Sequence, residues 1–144
     1  SLHDALPICC SSLRSIIIPN SVIRIGHTAF MGCKALTSLI IPDYINEIAD
    51  LTFCGCESLK SITIPNTVSS IGGMAFKCCE SLDNVYISAS VVEIDEQAFC
   101  VCSSLSMFVF GGTRKQWKAI KKQRSWHDFT PAKMVQCSDG IVRL

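Results

Sequence analysis

A chain of 144 residues with 49% hydrophobic side chains is long enough to fold as one domain around a buried core. Its 13 basic and 12 acidic residues leave a formal charge of +1, so net charge alone points to no polyionic partner. Apolar runs end after four or five residues, far short of a membrane-spanning helix, and no membrane insertion is expected.

Residues 1–7 hold no basic stretch and no useful apolar run, so they do not read as a secretory signal. Where the pattern that follows calls for Ala-Phe, positions 6 and 7 are Leu6 and Pro7. We read residues 1–7 as an atypical or foreign leader, 8–112 as a repeat domain and 113–144 as a C-terminal cap.

From residue 8 the chain is periodic. Leu13, Leu36, Leu59, Leu82 and Leu105 recur every 23 residues, each three residues after Cys10, Cys33, Cys56, Cys79 or Cys102. A period of this length marks a solenoid of stacked coils, each burying its apolar columns against its neighbours. Coils begin with Leu-x-x-Ile-x-Ile, or with Leu39, Val85, Phe108 and Phe110 in place of an Ile, and the alternation predicts a half-buried strand. Pro19, Pro42 and Pro65 end that strand, because proline cannot donate to a ladder, and Ser88 takes the same place in the fourth coil. A Val-x-x-Ile segment predicts a second short strand. Ala-Phe-x-x-Cys, with Phe30, Phe53, Phe76 and Phe99, then turns the chain back.

The tail reads differently. Residues 113–123 predict an amphipathic helix with Trp117 and Ile120 on one side and lysines on the other. Residues 133–137 and 141–144, joined by Ser138-Asp139-Gly140, predict a hairpin with an Asp-Gly turn. Together they suit a cap, since an open solenoid end exposes apolar edges and unpaired strand groups.

The coil Leu-x-x-Ile-x-Ile-Pro-x-x-Val-x-x-Ile-Gly-x-x-Ala-Phe-x-x-Cys, spanning Leu59 to Cys79, resembles the BspA-like leucine-rich repeats of bacterial surface proteins. The likeness covers roughly residues 8–110, and the segment from Gly112 to Gly140 is similar to the terminal part of many such proteins. The resemblance implies a β-rich solenoid, a right-handed coil with two short strand ladders, little helix and a helix-plus-hairpin cap. It also implies an extracellular or cell-surface setting and a role in adhesion or protein binding. It names no ligand.

The cysteine column follows the inward pattern, and buried thiols behave as small hydrophobes. Cys9, Cys54, Cys78, Cys100 and Cys137 fall at offsets that also hold Met31, Gly32, Lys77 and Val101, so part of that turn is expected to be exposed. Cys54-x-Cys56, Cys78-Cys79 and Cys100-x-Cys102 lack the Cys-x-x-Cys knuckle of zinc sites, and no metal or cofactor is expected. His3, His27 and His127 sit in unrelated places, and no nucleophile elbow or phosphate loop occurs, so no catalytic residues are expected and the protein does not read as an enzyme.

Charge is uneven along the chain. Residues 1–112 sum to −5 and 113–144 to +6, with Arg114, Lys115, Lys118, Lys121, Lys122 and Arg124 crowded together. These six could form a patch for anionic partners, although a solvated helix face is the simpler account of them. No aromatic residues interleave with them to stack bases, so no specific nucleic-acid partner is expected.

The outward positions of the first strand form two further columns. One holds Ile17, Ile40, Thr63, Tyr86 and Val109; the other includes Ser38, Ser61 and Asn84. Together they make a flat, mildly apolar face, the kind of surface that marks protein contacts, although β-branched residues also simply suit strands. The sequence therefore predicts about four and a half coils forming a monomeric, non-enzymatic domain of a larger protein. Its partner is an unidentified protein or glycan. The alternatives are a structural spacer that projects another domain, or a thiol-metal protein.

Overall fold

The computed structural model describes residues 10–144, so the reading of residues 1–7 as a leader, Cys9 and His3 lie outside the described residues. The period becomes a β-solenoid with two ladders. One ladder is a four-stranded parallel sheet of β1 (Glu47–Ile48), β3 (Ser70–Ile71), β5 (Glu93–Ile94) and β7 (Lys121–Lys122). The other, here the first ladder, orders β2 (Ser61–Ile64), β4 (Asn84–Ile87), β6 (Phe108–Phe110), β8 (Met134–Cys137) and β9 (Gly140–Arg143). All its pairings are parallel except β8 with β9. The only described helix is α1 (Arg114–Ala119).

Each column meets its own kind one coil away. Thr63, Tyr86 and Val109 lie in one register across β2, β4 and β6. Inside, Phe30, Phe53, Phe76 and Phe99 stack with ring centroids 5.4, 5.2 and 5.1 Å apart and planes within 11° of parallel. Leu36, Leu59, Leu82 and Leu105 are fully buried beside them. The thiols of Cys56, Cys79 and Cys102 donate over 3.2 Å to the carbonyls of Phe30, Phe53 and Phe76, one coil back. That bond gives the cysteine column a structural reason beyond small size. Burial pushes the Cys56 and Cys102 thiols up to about 12, and Cys79 well above its ordinary value.

The turn after the second strand has a fixed backbone. Thr28, Leu51, Met74 and Gln97 are left-handed, and so, four residues later, are Gly32, Gly55, Cys78 and Val101. Successive turns are joined by amide bonds: Phe30 N–H to Thr52 O, Phe53 to Ala75, Phe76 to Ala98 and Phe99 to Trp126. The partner lies 22 residues ahead in the first three and 27 in the last, so the final coil carries five extra residues. Ser125 and Phe129 repeat the left-handed pair, which marks the tail up to residue 130 as a fifth, lengthened coil.

Three local expectations shift. In the first two coils the leading strand reduces to an isolated Ser15–Ser38 bridge. The helix expected at 113–123 ends at Ala119, because Ile120 is extended and the second ladder captures Lys121 and Gln123 through bonds to Val92 O and Ile94 O. The hairpin turn is Ser138–Asp139, and Gly140, with φ 133°, is the first residue of β9. Cys100 and Cys137 are buried, whereas Cys54 and Cys78 are half-buried, so only part of that cysteine group faces solvent.

Candidate functional site

The outward column of the first ladder forms a continuous row. Ile17 and Ile40 are 93% and 84% exposed, Thr63 is exposed, and Tyr86 and Val109 are 39% and 37% exposed. Nothing among the described residues covers the first two. β-branched side chains on a strand are ordinary, but isoleucines this open leave apolar surface in contact with water. Ser15 and Ser38 pair across the first two coils, and Ser61 and Asn84 pair across the next two, so a polar row runs beside the apolar one.

Hollows follow this face. A groove of about 860 Å³ runs over coils one to three, with Ile17, Ile40, Thr63, Ser38 and Ser61 in its lining and Asp43 beside them. A second hollow, about 410 Å³, lies between Asp43, Thr63 and Tyr86. A third, about 240 Å³, gathers Ser61, Thr63, Asn84, Tyr86 and Val109 with Asp83. All eight residues of the sequence-predicted face therefore line hollows on one side of the ladder.

Three residues that the columns did not single out shape the face. Asp43, at the start of a loop, supplies the negative charge shared by the two larger hollows. Gly111 makes room for Tyr86, since a Cβ there would collide with the tyrosine hydroxyl. Asp83 accepts a short hydrogen bond from the Asn84 amide, which fixes that amide at the mouth of the third hollow. A signal for Asp43 exists in the sequence, as it follows Pro42 directly, but its offset varies from coil to coil.

The basic group divides by role. Arg114, Lys115 and Lys118 line a hollow of about 430 Å³ together with Asp139. Asp139 pairs with Arg114 at 3.6 Å and accepts the Arg114 backbone N–H at 2.7 Å, which holds its carboxyl below the usual range. Lys121 is turned to Glu93 at 2.6 Å, and its pKa is raised by that hydrogen bond. Lys122 is half-buried, donates to Trp117 O and Ile120 O, and lies 4.8 Å from the Trp117 ring centre; burial lowers its pKa. Arg124 is exposed beyond the strand. Of the six, Lys122 alone is held partly inside the fold, while Arg114 and Lys121 are paired with carboxylates at the surface.

His27 is exposed and 3.9 Å from Asp50, while His127 is half-buried against Trp126 with its pKa lowered by desolvation. Among the described residues no group of three or more His, Cys, Asp or Glu is placed to hold a metal. No helix among them is long and apolar enough to cross a membrane.

The sequence model for the BspA type leucine rich repeat region matches residues 8–121 in six copies. The chain belongs to this family. Solved structures agree on the coil. A leucine rich cell surface protein from Faecalibacterium prausnitzii is 34% identical with a TM-score of 0.67, covering 75% of this chain and 35% of that one. A leucine-rich repeat protein from Bacteroides ovatus is 39% identical with a TM-score of 0.68, over 70% of this chain and 26% of that one. The Treponema pallidum leucine rich repeat protein, 23% identical with a TM-score of 0.73, shares the fold across 85% of this chain and 57% of its own. The BspA-type chain therefore spans between about a quarter and just over half the length of these neighbours. No curated protein matches it at a significant level.

Proposed function

We propose that this BspA-type solenoid is a non-enzymatic recognition module at a bacterial cell surface, holding a protein or glycan against the outward face of its first ladder. The observation that carries the reading is the exposure of Ile17 and Ile40 over a groove of about 860 Å³. From the third coil on the stack gives such a face rigidity, because Thr63, Tyr86 and Val109 stand on strands whose inward neighbours are buried. A preorganised surface loses little freedom on binding, which favours affinity from modest area. The cell-surface setting is supported by the Faecalibacterium neighbour, which is described as a cell surface protein.

The experiment pairs Ile40→Glu with Tyr86→Glu and measures binding to panels of purified extracellular proteins and glycans. Both side chains point away from the core, so circular dichroism should be unchanged while partner binding falls at least about tenfold, the effect of losing roughly 1.4 kcal/mol of contact. Undiminished binding by a folded double variant would move the site off this ladder.

A further inference from the structure

The cysteines divide into two populations with different chemistry. In the inner column Cys56, Cys79 and Cys102 are fully buried and their S–H groups are bonded to carbonyls one coil back. Oxidants cannot reach them. Beside them, in the same turn, Cys54, Lys77 and Cys100 hold equivalent places in successive coils, and Cys78 follows Lys77 in the middle one.

Cys78 is the pivot of this turn. It is half-buried, and with φ 59° it occupies the left-handed corner that Gly32 and Gly55 fill in the preceding coils. Its backbone N–H donates to Cys100 O at 2.9 Å, so these two cysteines are direct neighbours across adjacent coils. For Cys54 the equivalent cross-coil bond runs from Gly55 N–H to Lys77 O, one residue displaced from both thiols. In-register positions of stacked coils sit about 4.8 Å apart, and Cys78 and Cys100 are one residue, about 3.3 Å, off register, which puts their Cα atoms roughly 6 Å apart. That lies within the roughly 4.4–6.8 Å between Cα atoms that a disulfide spans. Lys77 is anchored by its ammonium to Gln97 at 2.6 Å, which keeps a positive charge beside the trio.

We propose that Cys78 and Cys100 form an oxidation site that takes a low-molecular-weight disulfide and closes into a bridge between the third and fourth coils. The Cys78 thiolate attacks one sulfur of the small disulfide; that S–S bond breaks and the first thiol leaves, taking up a proton. The Cys100 thiolate then attacks the Cys78 sulfur of the mixed disulfide, and the second small thiol leaves. Two cysteines lose two protons and two electrons, and one disulfide is reduced to two thiols. Cys100 is buried, so it acts as the resolving partner and Cys78 as the point of entry.

The test incubates the reduced protein with glutathione disulfide, blocks remaining thiols by alkylation, and maps linkages after cleavage at glutamate, which separates Cys78 from Cys100. Two of the ten thiols should disappear from titration in denaturant. They should map to one Cys78–Cys100 bridge that is lost in Cys78→Ser and Cys100→Ser and kept in Cys54→Ser. Circular dichroism of each serine variant checks that its fold is retained. Cys100→Ser should stop at the glutathione adduct on Cys78. A Cys54–Cys78 bridge, a stable adduct on Cys78 of the unmodified protein, or ten unreacted thiols would each overturn the assignment.

Discussion

The phenylalanine stack offers a quantitative test of coil-by-coil stability. Phe76 is fully buried and packs between Phe53 at 5.2 Å and Phe99 at 5.1 Å, whereas Phe30 stacks on Phe53 alone among the described rings. Truncating a buried phenylalanine to alanine costs about 3–5 kcal/mol, and each aromatic pair is worth about 0.5–1.5 kcal/mol beyond area burial. Both rings are equally buried, so the difference between Phe76→Ala and Phe30→Ala isolates one ring pair. Phe76→Ala should cost about 1 kcal/mol more. In urea, with a slope of about 2 kcal/mol per M, a loss of about 4 kcal/mol moves the midpoint by about 2 M, and the extra pair adds about 0.5 M. Should Phe76→Ala fail to fold, Phe76→Leu against Phe30→Leu preserves most of the apolar volume and keeps the comparison. Equal costs at the two positions would refute the view that each coil is held by the neighbours on both sides.

Alkaline pH should weaken the fold through the inner thiols. Their folded pKa values are raised, to about 12 for Cys56 and Cys102, so the folded state keeps protons that the unfolded chain releases. Stability is therefore fully present below about pH 9 and is lost as pH rises toward 12. Urea midpoints taken between pH 8 and 10.5 should fall, and Cys79→Ala should flatten the slope; identical slopes would remove the thiols from the account. Glycine substitutions give a second contrast. A Cβ at Gly72 would lie 2.5 Å from Asp50 Oδ1 and 2.7 Å from Asp50 N, while at Gly73 the nearest atom is 3.5 Å away. Thermal melts should show Gly72→Ala destabilised by about 1–3 kcal/mol and Gly73→Ala changed by less than about 1 kcal/mol.

The buried columns were legible because a 23-residue step repeats the same environment, so Leu59, Phe76 and Ile94 announce their burial together with their copies. The outward row was legible for the same reason, since strand alternation fixes which side chains leave the core. What sequence could not supply was their unequal exposure. Ile17 and Tyr86 share a column, yet only Tyr86 leans over the next coil, because Gly111 leaves room there. The fifth coil was hidden by its extra residues, five up to His127 and four at Val135, which shift every column. Trp126 and His127 then stand in the places of Ala98 and Phe99, and Ala132 stands where Leu105 stood, buried like its predecessor.

That last coil also explains why a lysine can occupy an inward column. By register Lys122 follows Ile94, a fully buried position, but no further strand among the described residues covers it in this ladder. Its stem can lie over the Trp117 ring while its ammonium reaches the carbonyls of Trp117 and Ile120 at the end of α1. Trp117 O otherwise accepts only the Ile120 N–H, at 3.3 Å, and Ile120 O lies just past the last helical residue, so the cation adds a donor at both and complements the negative end of the helix. At the other end of α1, Thr113 and Gln116 form a capping box and Asp139 binds the Arg114 N–H. Both ends of the inserted helix are thereby tied to the coil and the hairpin. The same insertion that breaks the sequence period closes the stack, with Trp117 packed on Phe110 at 5.3 Å as the lid of the core.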